Sequence, residues 1–198
     1  MKKRSDPLSK PHTESLSYRV EVTDKEGRQI FVEEALSRSF VQAWNLLVNV
    51  HAKNSDSTIK DTGGTDRSIS AAQQSFECNA AAGVITKGVR VGKGSTAVTI
   101  TDYALETPLV EGVGVNQLTH LIVVFTAPAL AGSDCSFTIK RTMINNTGAS
   151  ITGIREIGVY MNIGATYYGL GFRDVLAGDV AVPDGGAITV TYTIKVTV

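Results

Sequence analysis

The chain lacks an excess of either charge: nineteen Lys and Arg offset nineteen Asp and Glu over 198 residues. That balance leaves no basic field to draw in nucleic acid and no acidic block to imitate it, so no nucleic-acid partner is expected. Cysteine is scarce as well. Cys78 and Cys135 are far apart, with no Cys-x-x-Cys pair and no histidine nearby. A metal or redox site needs denser ligands, so both are expected as buried thiols within β structure. Long apolar runs are also missing. Leu121-Ile-Val-Val-Phe125 and Leu46-Leu-Val48 fall far below the roughly 20 residues of a membrane helix, and a soluble chain without membrane contact is expected. Behind Lys2-Lys3-Arg4 comes Ser5-Asp-Pro-Leu-Ser-Lys-Pro11 instead of an apolar core. Synthesis in the cytoplasm without a signal peptide is therefore expected.

Catalytic signatures are absent too. No Gly-x-Ser-x-Gly, His-Glu-x-x-His or cysteine-centred pattern occurs. His12, His51 and His120 fall in a polar arm, on a helix stripe and at the edge of an apolar strand, none with a motif partner. No two carboxylates stand out as a glycosidase pair. The run Gly88-Val-Arg-Val-Gly-Lys-Gly-Ser95 has the wrong spacing for a phosphate loop and leads into a strand-like segment. Asn54, Asp56, Asp61 and Asp66 share one polar loop, but Ile59 stands where a calcium loop needs glycine, and a solvated loop is the simpler reading. These absences predict a protein that is not an enzyme and holds no cofactor or metal.

What is present is β periodicity. Ile188, Val190, Tyr192, Ile194, Val196 and Val198 alternate with Thr189, Thr191, Thr193, Lys195 and Thr197, the period of a half-buried strand about 35 Å long. Further strands are predicted at 84–91, 96–100, 118–126, 135–144, 154–163 and 167–174, separated by Gly-Val-Gly, Asn-Asn-Thr-Gly and Pro-Asp-Gly-Gly turns. The fold class is mainly β, an antiparallel sandwich or jelly roll over 84–198. Ahead of it, residues 1–17 read as an extended arm and 18–32 as a hairpin turning at Asp24-Lys-Glu-Gly27. Residues 53–70 read as a loop or hairpin tip. One amphipathic helix is predicted over 34–52 near the N-terminus. Its stripe is Leu36, Phe40, Ala43, Trp44, Leu47, Val48 and His51, with Glu33 and Glu34 suited to its dipole. Residues 18–198 are taken as a single domain.

Two charged dipeptides, Arg155-Glu156 and Arg173-Asp174, interrupt apolar strands. They read as strand-face ion pairs or as salt bridges across a subunit boundary. Tyr160, Tyr167 and Tyr168 lie near a glycine-bearing turn and read as core or interface residues, or as a glycan platform.

Four phrases together resemble small virion proteins of tailed bacteriophages and prophages, over residues 84–198. They are Val91-Gly-Lys-Gly-Ser-Thr-Ala-Val98 with Asp102-Tyr-Ala-Leu105; Thr142-Met-Ile-Asn-Asn-Thr-Gly-Ala-Ser-Ile151; Arg155-Glu-Ile-Gly-Val-Tyr160; and Arg173-Asp-Val-Leu176 leading to Val182-Pro-Asp-Gly-Gly-Ala-Ile-Thr-Val-Thr-Tyr192. The resemblance implies a structural component of the head, neck, tail or fibre, located in the virion and partnered by itself as a symmetric oligomer and by other virion proteins. On that reading Arg155-Glu156 and Arg173-Asp174 fix strand register, the final strand closes a sheet, and the arm or helix attaches the subunit to the particle; the candidate subunit contacts are Phe40, Trp44, Arg155, Glu156, Arg173 and Asp174. The alternative is a receptor- or carbohydrate-binding module of a fibre, with Tyr160, Tyr167 and Tyr168 against a host glycan.

Overall fold

Alternating side chains decide the first element. In the computed structural model, which describes residues 13–37, 40–53, 56–70 and 76–197, β1 (Thr13–Thr23) buries Leu16, Tyr18, Val20 and Val22 and exposes the residues between to varying degrees. Gly27, at a φ of +78° that other residues reach only with strain, helps turn the chain into β2 (Gln29–Ser37). The Asp24 carboxylate accepts the Glu26 and Arg28 amides across that turn. The hairpin is longer than the predicted 18–32. Thr13 already pairs with Thr197, so residues 13–17 are strand and not arm; residues 1–12 lie outside the described residues.

The helix is α1 (Gln42–Lys53), shorter than the predicted 34–52 and set behind two strands. Residues 34–37 belong to β2, where Glu34 lies opposite Arg19 and Leu36 opposite Ser17. Glu, Ala and Leu favour a helix, but pairing along β1 overrides that weak local preference. Glu33 and Glu34 consequently serve the sheet instead of a helix dipole. The Tyr18 hydroxyl donates to Glu33 at 2.8 Å, and Glu34 pairs with Arg19. The helix buries Ala43, Leu47 and Val50.

A small hairpin follows, β3 (Ser57–Lys60) with β4 (Asp66–Ile69). Then come β5 (Gly88–Gly92), β6 (Val110–Glu111), β7 (Gln117–His120), β8 (Val124–Phe125) and β9 (Ala129–Ala131). The last four strands are long: β10 (Asp134–Ile144), β11 (Ile151–Gly164), β12 (Tyr167–Val182) and β13 (Ala187–Thr197). The predicted strand at 118–126 is split between β7 and β8, and the one at 84–91 contracts to β5. Residues 96–100 are not a strand: the Glu106 carboxylate takes the Thr96 amide and Asp102 takes the Thr99 amide.

Two sheets enclose one core. The larger runs β2-β1-β13-β10-β7-β6, with β8 and β9 also on β10; the smaller runs β12-β11-β5. All pairs are antiparallel except the short β6–β7 contact. Tyr192 of the large sheet meets Phe172 of the small one at 5.6 Å between ring centroids, and core residues of both sheets form one contiguous cluster. The final strand sits inside its sheet, between β1 and β10, and so closes nothing at an edge.

β10 pairs with β13 in the large sheet while β11 pairs with β12 in the small one. Residues 134–197 are thus one long hairpin folded over the core, the jelly-roll feature of the fold. Both arms cross between sheets at the same corner. There the fully buried Asn145 donates to the carbonyls of Ala149 and Val182, each at 2.8 Å, and accepts from the Thr147 amide and hydroxyl. Its backbone pairs with Gly185 and Gly186 on the other arm.

Candidate functional site

Charges on an apolar strand must be paired or driven out. Glu156 of β11 is 0 % exposed and Arg173 of β12 2 %, and Glu156 Oε2 accepts from Arg173 Nε at 3.1 Å. The rest of the carboxylate is saturated by backbone: Gly94 and Thr107 amides reach Oε1 at 3.0 and 2.7 Å, and the Glu106 amide reaches Oε2 at 2.9 Å. Arg173 goes on to Asp102 at 2.9 Å and to the Thr96 hydroxyl at 3.4 Å. Burial opposes its charge, but the bonds to Glu156 and Asp102 outweigh burial and raise its pKa. Glu106 in turn accepts the Thr96 amide and hydroxyl and the Ser95 amide, which hold its carboxyl below the usual range.

This network explains the Gly92-Lys-Gly94 spacing. A Cβ on Gly94 would lie 2.7 Å from Glu156 Oε1, and one on Gly92 2.6 Å from the Thr107 carbonyl. Only glycine lets the loop 93–107 close over the carboxylate. A polar cleft of about 420 Å³ beside it is lined by Thr96, Asp102, Tyr103, Glu106 and Arg173, whose charges are already engaged with one another. The arrangement fixes a loop; its lone pairs are spent on amides.

The two charged dipeptides therefore divide by role. Glu156 and Arg173 form a strand-face pair inside the subunit, and their burial leaves no surface for a bridge to a neighbour. Arg155 reaches Asp179 at 3.5 Å and the Leu176 carbonyl at 3.4 Å. Asp174 accepts from the Tyr192 hydroxyl at 3.1 Å, tying the sheets together. Phe40 and Trp44 pack inward as well. Phe40 lies 5.1 Å from Phe172, and Trp44 lies 5.0 Å from Phe172 and 4.9 Å from Phe76, measured between rings.

The three tyrosines do not form one exposed platform. Tyr160 is buried with Val41, Leu105 and Leu170, its hydroxyl accepting the Leu105 amide at 2.9 Å. The Arg67 guanidinium covers the Tyr167 ring at 4.4 Å, and Tyr168 is half-buried with its carbonyl bonded to the Thr62 amide. The polar loop is similarly self-satisfied. Asp61 accepts from the Gly63 and Thr65 amides and Arg67, and Asp66 pairs with Lys60 at 2.9 Å. Asn54 lies outside the described residues. Among the described residues no three His, Cys, Asp or Glu side chains converge as metal ligands.

Sequence reasoning missed a second buried charge cluster. His120 is fully buried, with Nδ1 2.8 Å from Glu111 and 2.9 Å from the Leu118 carbonyl. Burial, and then the charge of Arg141, push it down to about 4, so it is neutral at pH 7. Arg141 donates to the carbonyls of Leu121 and Val84 at 2.7 Å each, and burial with the neighbouring Arg90 lowers it to about 10, leaving it charged. Arg90 donates to the Leu109 carbonyl at 2.6 Å. A lone histidine and two strand arginines carry no motif that would have announced this cluster.

The cysteines part company. Cys78 is buried, and burial pushes its thiol up to about 11. Cys135, expected to be buried, is exposed, for a reason that concerns the whole end of the sandwich. It shares the core-facing side of β10 with the buried Ile139 and Met143, two and four pleats on. Cross-strand it faces Leu130 and Val196, and Phe125 faces Ile139. Yet Leu130 is 83 % exposed, Val196 43 % and Phe125 39 %. The inner face of the large sheet thus runs on past its cover and presents an apolar row to the surface.

The chain matches no family model, no curated protein and no solved structure. What the structure itself defines is a β-sandwich whose buried charges are structural and whose conspicuous outward feature is apolar. No helix among the described residues is long and apolar enough to cross a membrane.

Proposed function

We propose that this protein is a non-enzymatic structural subunit of a tailed-phage particle that assembles with copies of itself. The observation that carries self-assembly is the uncovered row of Leu130, Cys135, Val196 and Phe125, core-type residues left open at one end of the sandwich. A surface of that kind belongs against another subunit. The virion assignment rests on the four phrases quoted above, and their placement supports a shared scaffold. Gly94, Thr96 and Asp102 of the first, Glu156 of the third and Arg173 of the last meet in one network around the buried Glu156–Arg173 pair. Asn145 of the second meets Val182, Gly185 and Gly186 of the last at the sheet-crossing corner, where the Gly148 amide also donates to Asp184. The phrases are thus the joints of the fold. A contact through Arg155, and attachment to the particle by the arm or helix, belong to the same proposal.

Quantitative mass spectrometry of purified particles, scaled to the major capsid protein, tests it. Copy numbers from about six to hundreds support a structural subunit, the lower range for neck, tail or fibre and the upper for a coat or decoration protein. Absence from the particle rejects the virion assignment.

A further inference from the structure

Between the sheets, beside α1, lies a cavity of about 130 Å³. Phe125, Phe137 and Ile194 form its wall on the large sheet; Val159, Met161 and Phe172 form the opposite wall. No charged residue lines it. The polar side-chain groups of its lining are two, the Cys78 thiol, which burial keeps protonated, and the Trp44 indole N–H, and neither is a strong acceptor. A trapped water needs two to four polar partners, and this lining does not supply them. An apolar cavity of roughly 150 Å³ stays dry and accepts a molecule such as benzene, and the volume here is close to that. The space is too small for a strand or helix of a partner. Phe125 is 39 % exposed, and Phe137 and Ile194 are half-buried, so entry lies on that side.

We propose that this cavity is a binding site for a small, uncharged, apolar molecule of about one aromatic ring. The walls act by shape and dispersion. Phe172 and Trp44, 5.0 Å apart between rings, supply aromatic faces that can stack on a guest ring or meet it edge-on. This inference does not depend on a virion location; because the mouth at Phe125 also belongs to the proposed subunit contact, the guest enters the unassembled chain.

Trp44 lines the cavity and is the only tryptophan, so it reports occupancy directly. Benzene titrated into the full chain should change Trp44 fluorescence saturably and shift the Met161 methyl resonance with the same midpoint. Val159→Phe, which fills the space, should abolish both responses. Should that variant not fold, Ile194→Phe, at a half-buried wall position, serves the same purpose. A linear, non-saturating response overturns the proposal, as does a saturable response that persists in a folded, filled variant. A Met161 resonance that follows protein concentration and ignores benzene would also overturn it, since a side chain of a second copy would then be the occupant.

Discussion

Glu156 Oε2 and Arg173 Nε lie 3.1 Å apart on neighbouring strands, and neither side chain reaches solvent. Three backbone amides from the loop 93–107 complete the carboxylate's shell. Two charges on the outer side of a small sheet thus hold a loop that local sequence would have made a strand. Such a pair is costly to desolvate, but far costlier to break from one side.

Glu156→Ala should therefore lower stability by about 3–5 kcal/mol, since it leaves Arg173 buried without its main partner and three amides unpaired. Urea denaturation measures the loss, and hydrogen exchange should show the Gly94, Glu106 and Thr107 amides opening before the rest of the core. A loss under about 1 kcal/mol would mean that the loop is held by something else.

Asn145 joins both sheet crossings through one buried side chain. Asn145→Ala deletes two donors' worth of pairing to Ala149 and Val182, and should cost about 1–3 kcal/mol by denaturant unfolding. Asn145→Asp, which cannot donate to those carbonyls when ionised, should cost at least as much at neutral pH. Wild-type stability in both would remove the corner from this account.

His120 predicts a pH dependence with a definite sign. Its folded-state pKa is about 4, against 6.5 for the ordinary side chain, because burial and Arg141 disfavour the imidazolium. Between those values the unfolded chain binds the extra proton. The contribution is fully present above pH 6.5 and is lost as pH falls toward 4, reaching about 3 kcal/mol at most. Unfolding free energy measured from pH 7 to 5 should decline in the wild type and decline less steeply in His120→Asn. Equal slopes would contradict a neutral buried imidazole.

Much of this architecture is legible in the sequence, and the failures have physical causes. The alternation from Ile188 onward identified β13, and the Asp24-Lys-Glu-Gly27 turn identified the first hairpin. Leu36 fits a helical stripe with Phe40 and Trp44 as well as a period of two, and only pairing with β1 decides for the strand. Thr96-Ala-Val-Thr-Ile100 has strand composition, yet Glu106 takes the Ser95 and Thr96 amides and no ladder can form there. The charged dipeptides stand out as interruptions of apolar strands, but which residue pairs with which depends on β11–β12 register. Cys135 does lie in β structure, on the core-facing side of β10, but it is not buried. Its exposure depends on where the smaller sheet ends, which no local pattern encodes.

The two thiols should react very differently. Under native conditions Cys135 should be modified quickly by a soluble thiol reagent, while Cys78, buried and with its thiol pushed up to about 11, should react only on unfolding. The Cys135 rate should fall as protein concentration rises, because its cross-strand neighbours Leu130 and Val196 lie in the proposed contact. A rate independent of concentration would put the contact elsewhere.

Sedimentation equilibrium of the purified full chain, compared with Leu130→Glu and Val196→Glu, tests the central claim of assembly through the open end of the sandwich. The account predicts a multimer for the wild type and a shift to monomer in both variants, each retaining its β-rich circular dichroism. A wild-type chain that stays monomeric at tens of micromolar, or a multimer untouched by both charges, would contradict it.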